Sequence, residues 1–248
     1  MIHRIHPELR PHLPALLEII RCAKEVTDDP DRLADLIAED QEWLAAFQWA
    51  STVLVHNRIT GLGGNVFAVP MLDPDYCDEL VDHSVRLGAE IGHRPNMAEE
   101  ADYQIPELVL ADVAPELFAE VHEAMAFVNV WSALAFQTEI GGVSSIQFAK
   151  YEPSDTPRGN WHHDRDSDIS AVVSLAPELH VGGGTEIRLN LVESFNLDPL
   201  PKGYALLFNG KLVQHRGRAV EDGVRHLLVC WLKTPDLSVS KTETSQVE

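Results

Sequence analysis

Residues 215–232 read His215-Arg216-Gly217-Arg218-Ala219-Val220-Glu221-Asp222-Gly223-Val224-Arg225-His226-Leu227-Leu228-Val229-Cys230-Trp231-Leu232. The apolar run Leu227–Leu232 follows a glycine-punctuated polar stretch and has the length of a buried strand. Working outward, Tyr204–Phe208, Gly184–Leu191, Ile169–Leu175 and Ser144–Tyr151 have the same character, with turn residues between them. Short strands in succession without intervening helices predict an antiparallel sandwich or jelly roll.

The N-terminal part has a different pattern. Leu13, Leu16, Leu17 and Ile20 recur at helical spacing, as do Leu33, Leu36 and Ile37, so residues 7–50 read as helical. Thr27-Asp28-Asp29-Pro30-Asp31 is a turn leading into a capped helix start. Ser51–His56 looks like a short strand, and Gly61-Leu62-Gly63-Gly64 marks a boundary. The expected organisation is an N-terminal helical module over 1–60, a catalytic jelly-roll domain over 61–235 and a disordered tail over 236–248. Within the second region, Asn65–Pro70 is a strand, Asp73 caps a following helix, and Pro115–Phe127 is another helix. Residues 92–106 lack periodicity and read as a loop able to cover a site.

Composition narrows the function classes. The 248 residues include 45% hydrophobic ones, enough for a proper core. Thirty-nine acidic residues against 19 basic ones give a formal charge of −20, which disfavours nucleic acid and anionic membrane as partners. An acidic surface of this kind is ordinarily a solubility device. Cys22, Cys77 and Cys230 form no CxxC pair, which argues against a disulfide framework and fits a reducing compartment. The N-terminus has no apolar run of signal-peptide type and no stretch reaches membrane-spanning length, so the expected location is cytoplasmic.

Chemistry concentrates in two segments. Trp161-His162-His163-Asp164 offers His162 and Asp164 at a spacing that puts both on one face of a strand, with His163 turned away. His215, after the apolar run Tyr204–Phe208, lies where a neighbouring strand can bring it to that pair. Two histidines and one carboxylate make the facial triad of a non-haem Fe(II) oxygenase, leaving three positions for O2 and a co-substrate. Arg225, ten residues after His215, enters an apolar strand, where an unpaired cation is costly. It would clamp the distal carboxylate of 2-oxoglutarate, unless Glu186 or Asp168 is its structural partner. Tyr151 is placed either to reach the same carboxylate or to pack in the core. His180 and His226 have no partner at ligand spacing and read as structural. Gly182-Gly183-Gly184 permits a sharp turn or close backbone approach; without a following Lys-Ser/Thr or helix it is not a phosphate loop.

From Asn65 to Lys233 the chain resembles the catalytic domain of the 2-oxoglutarate-dependent prolyl and lysyl hydroxylases, more closely the procollagen-lysine branch. The resemblance rests on Asn65-Val66-Phe67 with Cys77–Val81, then Lys150-Tyr151-Glu152-Pro153, His162-His163-Asp164 and Gly182-Gly183-Gly184. It continues through Pro201–Ala205, Gly210–His215 and Gly223-Val224-Arg225. It implies a double-stranded β-helix (a cupin-like jelly roll) with flanking N-terminal helices. It further implies Fe(II) on His162, Asp164 and His215, and 2-oxoglutarate on Arg225 assisted by Tyr151. Halogenases of the superfamily replace the carboxylate ligand with a small residue, so Asp164 implies hydroxylation. Arg165-Asp166-Ser167-Asp168 and Thr185-Glu186-Ile187 depart from the family pattern near the substrate mouth.

The activity implied is an Fe(II)-, O2- and 2-oxoglutarate-dependent dioxygenase that hydroxylates an aliphatic carbon and releases succinate and CO2, with ascorbate a candidate stimulant. The expected substrate is an amino acid or a derivative of one, free, carrier-bound or peptidyl. Asp166, Asp168 and Glu186 are candidates to grip a cationic side chain such as lysine or arginine. Two alternatives stand beside it: a prolyl hydroxylase acting on a protein, and a cupin-like metal-binding protein without oxygenase activity. The N-terminal helices could serve as a homodimer interface or as a lid.

Overall fold

A computed structural model describes residues 2–26, 29–95, 97 and 105–235. The 236–248 tail, the start of the expected turn at Thr27-Asp28 and most of the 92–106 loop lie outside the described residues.

The chain opens with helices α1 (Leu13–Glu25), α2 (Pro30–Glu39) and α3 (Gln41–His56). Asp29 caps α2 by accepting the Arg32 N–H, and Asp40 caps α3 by accepting those of Glu42 and Trp43. The strand expected at Ser51–His56 is instead the last turns of α3. Its β-branched residues favour a strand, but Val53 and Leu54 pack against the core from a helix already under way. Strands β1 (Arg58–Gly61) and β2 (Gly64–Pro70) follow as a hairpin, so the Gly61–Gly64 stretch forms its turn.

Asp73 then accepts the Asp75 N–H and caps α4 (Pro74–Ile91), as expected. Next come β3 (Arg94–Pro95), β4 (Pro106–Val109), α5 (Leu110–Val113), α6 (Pro115–Met125) and α7 (Val128–Phe136). The remaining strands are β5 (Gly142–Tyr151), β6 (Ile169–Ser174), β7 (His180–Gly182), β8 (Thr185–Arg188) and β9 (Ser194–Leu197). They are completed by β10 (Tyr204–Asn209), β11 (His215–Gly217), β12 (Val220–Gly223) and β13 (Arg225–Lys233).

The main sheet has eight strands in the order β1-β2-β10-β6-β13-β5-β4-β3, all pairs antiparallel. Opposite it stand a three-stranded sheet, β11-β8-β9, and the pair β12-β7. Alternation along each strand gives the main sheet two distinct faces. Ile146 and Phe148, Ala171 and Val173, Ala205 and Leu207, and Leu228 and Cys230 point into one core shared with Leu16, Ala50, Leu80 and Trp131 of the helices. The intervening positions, Gln147, Ala149 and Tyr151 on β5, Leu227, Val229 and Trp231 on β13, and Leu206 and Phe208 on β10, line a cavity of about 370 Å³. One face therefore anchors the sheet and the other carries the site.

Candidate metal centre and cavity

His162 and His215 meet through one isolated β-bridge, with each N–H donating to the other's carbonyl at 3.0 and 3.1 Å. His215 opens β11, whereas His162 and Asp164 do not lie on a regular strand as expected. The charged run after Asp164 turns immediately: the Ser167 N–H donates to the Asp164 carbonyl (3.0 Å), and the Asp164 N–H to that of Gly210 (2.9 Å). This turn, not strand alternation, aims the carboxylate back at the histidines.

The result is a compact donor set. Asp164 Oδ1 lies 3.5 Å from His162 Nε2 and 3.8 Å from His215 Nε2. The three ligand atoms all fall within 4.8 Å of one another, the one group of this type among the described residues. Each imidazole is oriented through its other nitrogen: His162 Nδ1 meets the Asn160 carbonyl at 2.9 Å, and His215 Nδ1 that of Val213 at 3.2 Å. Carbonyls accept only, so each Nδ1 donates to its carbonyl and each Nε2 is turned toward the carboxylate.

Burial pushes His215 down to about 4, with the Asp164 carboxylate opposing, so the ring stays neutral as a metal ligand requires. Burial also works to raise Asp164. The neighbouring His215 and His162 and the hydroxyl of Ser170 outweigh it and hold the carboxyl below its ordinary value. Ser170 donates to Asp164 Oδ2 at 2.5 Å. Two imidazoles and a carboxylate converging on one point fit a divalent transition metal with open positions.

Arg225 begins β13 directly opposite Tyr151 on β5, its guanidinium carbon 5.4 Å from the phenol ring centroid. It is 6% exposed and donates to the Gly184 carbonyl (2.8 Å). Burial pulls its pKa below the ordinary value. No carboxylate pairs with it among the described residues, so neither Glu186 nor Asp168 is its partner. Gly182, Gly183 and Gly184 have φ of +74°, +77° and +90°, which side-chain-bearing residues rarely adopt. That path brings the Gly184 carbonyl to Arg225. A Cβ on Gly217 would stand 2.7 Å from the Tyr151 ring, so the glycine there makes room for the phenol.

The acidic residues near the mouth separate. Glu186 is held by Arg216 (2.6 Å) and Ser194, and Asp168 by Lys211 and the Thr234 N–H (2.9 Å). Neither lines the cavity. Asp166 does, in the exposed stretch beside Arg165 and His163. His226 is buried and pushed down to about 4 by burial, with His93 and Lys150 adding to the effect, consistent with a structural role. Sequence reasoning passed over Ser170, Gln147 and Trp231. Ser170 and Gln147 interrupt otherwise apolar strands, a signal that would have found them.

The fold has known counterparts. A prolyl-4-hydroxylase from Pseudomonas putida matches 75% of this chain and 100% of its own length, with 18% identity and a TM-score of 0.52. A prolyl hydroxylase from Trichoplax adhaerens, solved with a peptide of hypoxia inducible factor, matches 78% of this chain and 93% of its own, with 13% identity and a TM-score of 0.55. The non-haem α-ketoglutarate-dependent carbocyclase SnoK of nogalamycin biosynthesis matches 69% and 80%, with 15% identity and a TM-score of 0.54. The chain has the fold of these enzymes. No family model and no curated protein matches it by sequence.

Proposed function

We propose that the protein is an Fe(II)- and 2-oxoglutarate-dependent dioxygenase that hydroxylates an aliphatic carbon of an amino acid or amino-acid derivative. The observation that carries this is a single juxtaposition. A His162–Asp164–His215 donor set and a buried arginine, without a carboxylate partner among the described residues, line one cavity of about 370 Å³. That volume is in the range of small-ligand sites.

His162, Asp164 and His215 would hold the iron, and their positions on one side leave the cavity side open. Arg225 would bind the distal carboxylate of 2-oxoglutarate by a charge-assisted pair, with Tyr151 beside it. When bound, the metal and co-substrate supply the oxidising chemistry, in which O2 and 2-oxoglutarate yield succinate, CO2 and a hydroxylated carbon. The protein's share is orientation and dryness. Leu206, Phe208, Leu227 and Val229 wall the cavity with hydrocarbon, and Ser170 fixes the carboxylate ligand. Of the three carboxylates considered for gripping a cationic substrate, Asp166 alone remains on the cavity wall.

The test is succinate release from 2-oxoglutarate under Fe(II), O2 and ascorbate, with amino acids and short peptides as candidate substrates. His162→Ala is expected to abolish turnover and metal binding together. Arg225→Ala is expected to raise the KM for 2-oxoglutarate at least about tenfold, as for loss of a buried charge-assisted pair, with iron binding unchanged. An iron-loaded wild type that forms no succinate with any candidate would instead support the cupin-like, non-oxygenase reading.

A further inference from the structure

The turn that aims Asp164 also carries Arg165 and Asp166, two charges with no part in the donor set. Its base is pinned on both sides. Ser167 is fully buried, its Oγ accepts the Leu232 N–H at 3.2 Å, and the Asp168 N–H donates to the Leu232 carbonyl at 2.8 Å. Across the turn, the Asp164 N–H donates to the Gly210 carbonyl, and a Cβ on Gly210 would stand 2.8 Å from that of Ser167. Arg165 and Asp166 are exposed on this fixed base, and both line the cavity.

The course of β13 sets where along the cavity they stand. Arg225 opens the strand level with Tyr151. Leu227 and Val229 follow on the cavity face, then Trp231, level with Ser170, whose hydroxyl holds Asp164. Leu232, the next residue, is the one that ties down Ser167 and Asp168. The turn is therefore at the end of the cavity remote from Arg225, past the level of the donor set. A co-substrate held at Arg225 and reaching the metal covers the stretch between them and leaves the end at Arg165 and Asp166 open.

The acids on either side of this end are matched, Asp168 with Lys211 and Glu186 with Arg216. Arg165 and Asp166 are not. Among the described residues neither makes an ion pair or a side-chain hydrogen bond, not even with its neighbour. Water solvates an exposed charge, so the lack of a partner alone assigns nothing. What sets these two apart is one positive and one negative group side by side on the wall of a single cavity. That arrangement complements a ligand bearing both charges on adjacent atoms, and the head of an α-amino acid is such a group.

We propose that Arg165 and Asp166 bind the head group of a free α-amino acid, Arg165 taking the α-carboxylate and Asp166 the α-ammonium. This rests on the oxygenase reading above and narrows it from free, carrier-bound or peptidyl substrates to free amino acids. With the head held at the far end, the side chain is the part that faces His162, Asp164 and His215. The hydroxylated carbon then lies on the side chain and not at Cα. Acylating the nitrogen removes one of the recognised charges, amidating the carboxyl removes the other, and a residue within a peptide lacks both.

The probes are the common L-α-amino acids and, for each that binds, its N-acetyl, carboxamide and N-acetyl-carboxamide forms. Binding to the full chain loaded with Co(II) and 2-oxoglutarate is read by anaerobic isothermal titration, and turnover with Fe(II) by succinate release. At least one free amino acid is expected to bind, with each singly blocked form weaker by about threefold or more. Arg165→Gln is expected to erase the difference between acid and carboxamide while keeping that between amine and N-acetyl. Asp166→Asn is expected to do the reverse. Both side chains are exposed, circular dichroism checks the fold, and a general loosening of the turn would not produce such a crossed pattern.

The inference is overturned if no free amino acid binds, if a blocked form binds as well as its free parent, or if either variant weakens free and blocked forms alike. The crossed pattern without succinate formation would leave the head-group site standing and overturn the oxygenase reading alone. Succinate formed only with N-acetyl amides would do the opposite.

Discussion

Ser170 shows how the donor set depends on a residue outside it. Its hydroxyl reaches Asp164 Oδ2, and its strand places it between Phe208 of β10 and Trp231 of β13. Removing the hydroxyl frees the carboxylate to rotate away from the two histidines and withdraws one of the interactions that keep it ionised. Such partners of a ligand are worth about 10- to 100-fold in metal affinity. Ser170→Ala is therefore expected to weaken Co(II) binding by about tenfold or more in an anaerobic titration, with the fold intact by circular dichroism. Unchanged affinity would mean that the Gly210 and Ser167 backbone contacts suffice to aim Asp164. At this scale the candidate donor set was legible because His-x-Asp, a later histidine and an arginine form a chemically distinctive set. Glu186 and Asp168 were legible as acids but not as occupied ones. Their partners Arg216 and Lys211 lie about 30 and 43 residues away in sequence, and no local pattern announces such a pair.

Elements carry the next layer. The bridge between His162 and His215 is backed by Trp161, which lies under the guanidinium groups of Arg188 and Arg216 at 4.0 and 4.6 Å from its ring centroid. Glu186 on β8 faces Arg216 on β11 in register and ties that strand in turn. A ladder of side chains thus fastens the histidine-bearing segments to the minor sheet. The glycine run before β8 has a different constraint. Gly184 has φ +90°, and a Cβ there would fall 2.2 Å from the Leu197 carbonyl oxygen. Gly184→Ala is expected to cost about 1 kcal/mol or more, read as a lower urea midpoint, and to raise the KM for 2-oxoglutarate because the Arg225-binding carbonyl moves with it. A midpoint equal to wild type would show that the backbone relaxes there freely. Strands and helices with clear periodicity and caps, such as β13 and α4, were legible as elements. The end of α3 was not, because Thr52, Val53 and Val55 are β-branched strand-formers, while the packing of Val53 and Leu54 against the core is decided by residues far along the chain.

The whole molecule is built as helices on one face of a sheet and a cavity on the other. Trp131 of α7 is fully buried and donates its indole N–H to the Pro70 carbonyl at 3.1 Å. Trp49 of α3 packs on it at 5.6 Å and stacks on His12 at 4.3 Å. N-terminal helices, α7 and β2 thereby meet around one aromatic group, and their buried side chains belong to one cluster with those of the sheet. Trp131→Ala is expected to cost about 3–5 kcal/mol. Helix and sheet signals should fall together in one urea transition. Two separated transitions would support an independent helical module over residues 1–60. By itself, the sequence determined the chemistry of the candidate donor set, the buried cation and the mainly antiparallel β character, because these depend on residue type, spacing and two-residue alternation. Only the tertiary structure decided which acids are already spoken for and how Asp164 turns back to the histidines. The physical reason is that each of these depends on which polar atom finds a partner across distant segments, and hydrogen bonds are satisfied in space rather than along the chain.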